Sequence, residues 1–195
     1  MLTGRFAPSP SGRMHLGNVF SALLAWLSAK SQGGRIVLRI EDLDPDRCRP
    51  DYIETLKRDL DWLGLDWDEE QTPQSMRADD YHAEFERLRA LGLVYPCYCS
   101  RAELHAASAP HASDGNVIYA GTCRSLTEAE RAAKTRAPAW RVIVPDTSIT
   151  VQDGLQGAYT ENLARDCGDF IIRRSDGVYA YQLAVVTDDA AGGVT

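Results

Sequence analysis

An α/β fold built on an open parallel sheet is the architecture this sequence predicts, and three observations predict it. The chain starts with a short strand-like segment that breaks at Ala7-Pro8-Ser9-Pro10-Ser11-Gly12. Apolar residues Leu16, Val19, Phe20, Leu23, Leu24 and Leu27 then recur at helical spacing, so a helix opens between His15 and Asn18. Arg35-Ile36-Val37-Leu38-Arg39-Ile40 reads as a second strand ending on Glu41-Asp42. A strand, a crossover helix and a second strand pair in parallel, which puts the carboxylates at the C-terminal rim of the sheet. Ligands of open α/β sheets bind at that rim.

The first loop and helix have the layout of a nucleotide cradle. A helix N-terminus carries unpaired N–H groups and the positive end of the helix dipole, and phosphates bind there readily. His15, Gly17 and Asn18 stand at that point. A bare His-Leu-Gly-Asn is equally a helix-entry turn with no chemistry, so the wider context has to decide.

Further along, Pro50 suits the first turn of a helix with apolar face Tyr52, Ile53, Leu56, Leu60 and Leu63. Tyr81, Phe85 and Leu88 mark another helix, which Gly92 closes. From 94 to 136 the character changes. Two cysteines are followed by a capping box at Ser100-x-x-Glu103, an Ala/Ser/Pro/Gly stretch over 106–115 and a second box at Thr127-x-x-Glu130. We read 1–93 as the first part of a catalytic domain, 94–136 as an insert, and 137–195 as return strands and a second part. Strands are expected at 140–144, 149–151 and 170–172, then a Ser175-Asp176-Gly177 turn into a strand over 178–181. A helix beginning within 182–188 leads back to the main sheet. The chain shows no internal repeat, heptad run or long charge block.

With 195 residues, 44% of them hydrophobic and 25% charged, the chain can bury one sizeable core and a small insert. No apolar run approaches the roughly 18 residues that span a bilayer, and no signal pattern opens the chain. A cytoplasmic monomer without membrane contact is expected. A net charge of −7 disfavours non-specific binding to nucleic acid, so any RNA contact is local.

Five cysteines, two of them at C-x-C spacing, suit a reducing compartment and a metal site better than a disulfide framework. Cys97, Cys99 and Cys123 with Tyr119 supply three thiols and a phenol, and thiolates suit tetrahedral zinc. The alternative is cysteine packing, because Cys is also a common small buried residue. Cys48 and Cys167 match no partner spacing and are expected to be structural. Arg5 and Glu41 lie near the rims of adjacent strands, where a guanidinium and a carboxylate can converge on one zwitterion such as an amino acid. A plain salt bridge between the two is the other reading.

The ordered run Arg5-Phe6-Ala7-Pro8-Ser9-Pro10, then His15-Leu16-Gly17-Asn18, then Arg39-Ile40-Glu41-Asp42 resembles the first signature of class I aminoacyl-tRNA synthetases of the glutamyl branch. Asn18 departs from it, since the family carries a second His or a small residue there. Asp44-Pro45 and the Cys97-x-Cys99…Tyr119-x-x-x-Cys123 pattern resemble the short glutamyl-Q tRNA(Asp) branch. The resemblance covers nearly the whole chain and is weakest over 106–115. It implies a Rossmann-like catalytic fold with a zinc-binding insert. ATP with Mg²⁺ and L-glutamate would then be the substrates of a tRNA-independent adenylation, and tRNA(Asp) carrying queuosine the acceptor.

The same resemblance places His15, Gly17 and Asn18 on the ATP phosphates. It places Arg5, Phe6, Ala7, Pro8, Ser9, Glu41 and Tyr181 around glutamate, and structural zinc on Cys97, Cys99, Tyr119 and Cys123. The sequence stops at Gly192-Gly193-Val194-Thr195, ahead of a family arginine and a lysine-bearing loop, so weak adenylation by this stretch alone is expected. A conventional glutamyl-tRNA synthetase, another adenylate-forming enzyme and a non-catalytic zinc-stapled module remain open alternatives.

Overall fold

A computed structural model describes residues 1–100, 102–103 and 118–195. They fall into two compact units, Met1–Glu84 with Leu183–Thr195, and Phe85–Gln182. The 106–115 stretch lies outside the described residues.

The first unit holds the expected parallel sheet. Strand β1 (Thr3–Phe6) pairs in parallel with β2 (Arg35–Leu38), in the register Thr3↔Arg35 through Phe6↔Leu38. Helix α1 (Leu16–Lys30) is the crossover. Ile36, Val37 and Leu38 are all buried, the pattern of a parallel strand covered on both faces. A third strand, β3 (Glu69–Glu70), extends the sheet in the order β1-β2-β3. No periodicity announced it, because two exposed glutamates carry no apolar signal. Thr195 lies on the outer edge of β1, its N–H donating to the Thr3 carbonyl at 3.1 Å.

Helix α2 (Pro50–Leu63) starts on Pro50 as expected and buries Leu56 and Leu60. These join Ala22, Leu38, Ile40 and Leu65 in one core, packed against Phe6, Trp26, Ile53 and Trp67. The face of α1 differs from expectation. Its leucine and phenylalanine stripe looks outward, with Leu16 83% and Phe20 59% exposed, while Ala22 and Ala29 are buried. Small side chains let a helix approach the sheet closely, and that steric condition outweighs the apolar count.

In the second unit, β4 (Val94–Cys97), β5 (Ala139–Val142) and β8 (Ile171–Arg173) form an antiparallel sheet in the order β4-β5-β8. Strand β4 therefore opens the segment read as an insert and pairs with a strand read as beyond it, so these return strands group with the insert. Strands β6 (Ser148–Asp153) and β7 (Gly157–Asn162) make an exposed hairpin. The sequence pattern marks only 149–151 of this hairpin, since a two-faced exposed hairpin shows no buried alternation. The expected strand over 178–181 reduces to one bridge, Arg173↔Tyr179, because Tyr181 already opens a helix.

Helix α3 (Ala78–Ala90) carries residues of both units. Tyr81 and Phe85 are each 1% exposed, and Phe85 meets Trp140 edge-on at 5.3 Å. The chain leaves this helix through Leu93, whose N–H donates to the Leu88 carbonyl, with Gly92 in between as expected. Both capping boxes are formed. The Glu103 N–H donates to Ser100 Oγ at 3.1 Å, and Thr127 caps α4 (Glu128–Ala132) reciprocally with Glu130. A short helix α5 (Leu163–Asp166) and the last helix α6 (Tyr181–Gly192) complete the set. From Leu183 on, α6 belongs to the first unit, the return the sequence predicts.

Candidate active site and metal centre

The residues read as a phosphate cradle stand at the start of α1, as the helical spacing predicts. His15 is the N-cap of α1, and its Nδ1 accepts the Gly17 N–H at 3.0 Å, while Asn18 Oδ1 accepts the His15 N–H at 3.1 Å. Asn18 is thus a capping residue. A neutral imidazole that accepts at Nδ1 carries its proton at Nε2, so a ring donor remains available beside the helix N-terminus. A Cβ on Gly17 would stand 2.9 Å from His15 Cε1, so only glycine keeps the ring in place. His15 and Gly17 are exposed, as a phosphate contact requires.

The sheet's C-terminal rim lies in the same unit. Beyond β1 and β2 the two segments stay side by side, with the Arg39 N–H donating to the Phe6 carbonyl and the Glu41 N–H to the Pro8 carbonyl, both at 3.0 Å. This backbone pairing sets Phe6, Ala7, Pro8 and Ser9 against residues 39–41. Arg5 and Glu41 come from adjacent strand ends as expected, but they do not pair with each other. Arg5 Nε lies 2.8 Å from Asp189 Oδ1, and Arg39 Nη2 donates to Glu41 Oε1 at 3.1 Å. Arg39 also donates through Nη1 to Asp189 at 2.7 Å.

Deeper in, Asp188 is fully buried and accepts from Gln74 Nε2 at 2.7 Å, Arg77 Nη1 at 2.6 Å and the Tyr81 hydroxyl at 3.0 Å. Burial pushes the Glu41 carboxyl above its ordinary value, although Arg39 and Arg5 pull it down. For Arg39, burial works against the charge, yet Asp189 and Glu41 hold it more firmly protonated than usual. Sequence reasoning missed Asp188 and Asp189. Their adjacent carboxylates on a helix predicted to return to the sheet were the available signal. Tyr181 opens α6 with an exposed ring and belongs to the second unit.

The cysteine pattern also closes up in space. Cys97 ends β4, and the sulfurs of Cys97, Cys99 and Cys123 lie within 4.8 Å of one another. The Tyr119 oxygen stands 3.5 Å from Cys97 Sγ and 3.8 Å from Cys99 Sγ, and Cys99 and Cys123 are 3.6 Å apart. Metal–sulfur bonds of about 2.3 Å in a tetrahedron set sulfurs about 3.8 Å apart, so these residues fit such an ion. Zinc, if held here, would staple β4 to the 119–123 turn.

Tyr119 is also a hydrogen-bond acceptor, taking the Cys123 N–H at 2.8 Å, and the Arg141 guanidinium stacks 3.8 Å from its ring. Burial raises the Cys97 thiol, but the Tyr119 hydroxyl and Arg141 outweigh it and bring the thiol below its usual range. Burial and the Cys123 contact push Cys99 up to about 12. Gly168, at φ +70°, bridges Tyr119, where a Cβ would meet the Tyr119 carbonyl at 2.9 Å. The thiols of Cys48 and Cys167 are free. Cys48 is half-buried, whereas Cys167 is exposed and so not explained by packing.

A parallel sheet with a His-capped crossover helix and a charged rim fits the catalytic domain of a class I synthetase. The chain belongs to that family, matching over residues 1–195 the description "tRNA synthetases class I (E and Q), catalytic domain". Among curated relatives, the glutamyl-Q tRNA(Asp) synthetase of Nitratidesulfovibrio vulgaris is 50% identical over 207 residues, covering 100% of this chain and 64% of that protein. A glutamyl-Q tRNA(Asp) synthetase of Neisseria meningitidis is 47% identical, covering 100% and 65%. The chain therefore spans just under two thirds of these relatives' length. A solved glutamate tRNA ligase from Elizabethkingia meningosepticum, in complex with its amino acid, superposes with a TM-score of 0.82 at 31% identity, covering 100% of this chain and 42% of that one. Among the described residues no helix is long and apolar enough to cross a membrane.

Proposed function

We propose that the protein activates L-glutamate with ATP, without needing tRNA, and transfers it to queuosine at the wobble position of tRNA(Asp). The observation that carries this reading is the rim: Arg5 and Glu41, of opposite charge, stand at adjacent parallel strand ends in the unit that also holds the His15 cap. The amino acid's ammonium group binds the Glu41 carboxylate, and a carboxylate of the substrate binds the outer nitrogens of Arg5. Phe6, Ala7, Pro8 and Ser9 complete the pocket by family resemblance.

In the first step an oxygen of the glutamate α-carboxylate attacks the α-phosphorus of ATP. A carboxyl–phosphate bond forms, the bond between α- and β-phosphates breaks, and pyrophosphate leaves with the electron pair and Mg²⁺. In the second step a queuosine hydroxyl attacks the glutamyl carbonyl and loses its proton to solvent, an ester bond forms, the carboxyl–phosphate bond breaks, and AMP leaves with the electron pair. No protein nucleophile is needed, so positioning and charge stabilisation supply the catalysis. The Nε2 proton of His15 and the N-terminus of α1 serve the phosphates. Cys97, Cys99, Cys123 and Tyr119 would hold a structural zinc, which takes no part in these steps.

The test is glutamate-dependent ATP–pyrophosphate exchange with and without tRNA, followed by mapping where labelled glutamate attaches. Exchange without tRNA and label in the anticodon support the reading. Label at the 3′ end would identify a conventional glutamyl-tRNA synthetase instead.

A further inference from the structure

Three guanidinium groups and three carboxylates of the first unit form one continuous array. Arg77 meets Asp188 at 2.6 Å, Arg39 lies 3.6 Å from Asp188, 2.7 Å from Asp189 and 3.1 Å from Glu41, and Arg5 meets Asp189 at 2.8 Å. Formal charges balance among these six groups, and Arg77 also meets the exposed Asp80 at 2.9 Å. The arrangement is unexpected for a recognition pair. Arg5 and Glu41 are close enough for the Arg5 charge to act on the Glu41 carboxyl, yet each is paired with another residue.

A free guanidinium beside a free carboxylate collapses into a salt bridge, and a substrate would then have to break it before binding. Asp189 removes that alternative. Its Oδ1 holds Arg5 at Nε, the inner nitrogen of the fork, and leaves the two outer nitrogens for a planar bidentate contact. The same oxygen accepts from Arg39, whose other outer nitrogen holds Glu41 through Oε1 and leaves Oε2 to accept from an ammonium group. Asp188, through Arg77, Gln74 and Tyr81, anchors the turn of α6 from which Asp189 projects.

We propose that Asp189 is a positioning residue for amino-acid recognition, holding Arg5 and, through Arg39, Glu41 apart so that both face the zwitterion unpaired. This rests on the reading of Arg5 and Glu41 as the glutamate-binding pair. It adds a residue that touches neither substrate but sets affinity for one of them.

The test is a double-mutant cycle read by calorimetric titration with L-glutamate and, separately, with ATP, on Asp189→Ala, Asp189→Asn, Arg5→Ala and the Arg5→Ala/Asp189→Ala pair. Asp189→Ala should weaken L-glutamate binding by about tenfold, the scale of coupling inside one ion-pair network, and leave ATP binding within about twofold. Asp189→Asn keeps the shape and loses the charge, so it should show most of the same loss with an unchanged melting temperature. In the Arg5→Ala background, removing Asp189 should cost less than it does with Arg5 present, because only the Arg39–Glu41 arm is left to disturb. Equal losses for both ligands, or losses that add in the double variant, overturn the proposal while leaving the binding pair intact. If Arg5→Ala binds L-glutamate normally, the reading of the pair itself falls.

Discussion

The Nδ1 of His15 accepts the Gly17 amide at 3.0 Å, and this one bond orients the ring at the head of α1. It also settles which nitrogen carries the proton, because a neutral imidazole that accepts on one side donates on the other. His15→Ala should therefore lower the adenylation rate by on the order of 10²–10³, the usual cost of one preorganised donor. Gly17→Ala, whose Cβ would press on the ring at 2.9 Å, should act in the same direction. Pyrophosphate exchange against ATP concentration measures both. Both residues are exposed, so any loss of stability should stay near the roughly 1 kcal/mol of a lost helix cap.

Asp188 gives the opposite signature. It is fully buried and bonded to Arg77, Gln74 and Tyr81, so Asp188→Ala removes a buried acceptor that all three share. A loss of about 3–5 kcal/mol in unfolding free energy is expected, measured by urea titration of the first unit's signal. A loss below 1 kcal/mol, on the scale of an exposed pair, would show that the network is peripheral to stability.

Glutamate binding should weaken on acidification at a pH above the ordinary carboxylate range. The cause is burial, which raises Glu41, so its charge is lost before that of an exposed glutamate. The stability effect has the opposite sign. A raised carboxyl contributes stability below its unfolded value, and this is lost as pH rises through the folded value. Glu41→Gln should abolish the acid limb of the binding profile, and titrating affinity against pH for both forms checks it.

Asp68 runs the other way. The Ile36 N–H at 2.7 Å and the Lys30 ammonium hold it below its ordinary value. It therefore contributes stability above its unfolded value, lost as pH falls through the lowered folded value. Asp68→Asn should flatten that part of the stability profile, read as melting temperature against pH.

Protein purified without chelator should contain about one zinc per chain, and Cys99→Ser should lose most of it. Release on acidification is expected too, since thiolates must be deprotonated to bind. Hydrogen exchange should then rise around 94–99 and 119–123 and stay unchanged in β1 and β2. Metal-free protein with slow exchange in those segments would mean that the sulfurs are held by packing alone.

Local regularities were legible in the sequence. The helix entry at His15, the parallel pairing of Arg5 with the strand before Glu41 and both capping boxes follow from spacing, and the cysteine cluster from its C-x-C step together with the family resemblance. Each depends on residues near one another in the chain, or on a metal geometry that few residue types satisfy. What tertiary structure decided is which charges pair. Arg39 finds Asp189 across 150 residues and Gln74 finds Asp188 across 114, and no periodicity encodes such a partner. It also chose the alanine side of α1 over its leucine stripe, because close approach to the sheet depends on side-chain size. The short strands β3 and β7 exist by backbone pairing, which leaves little mark on side-chain pattern where both faces meet water.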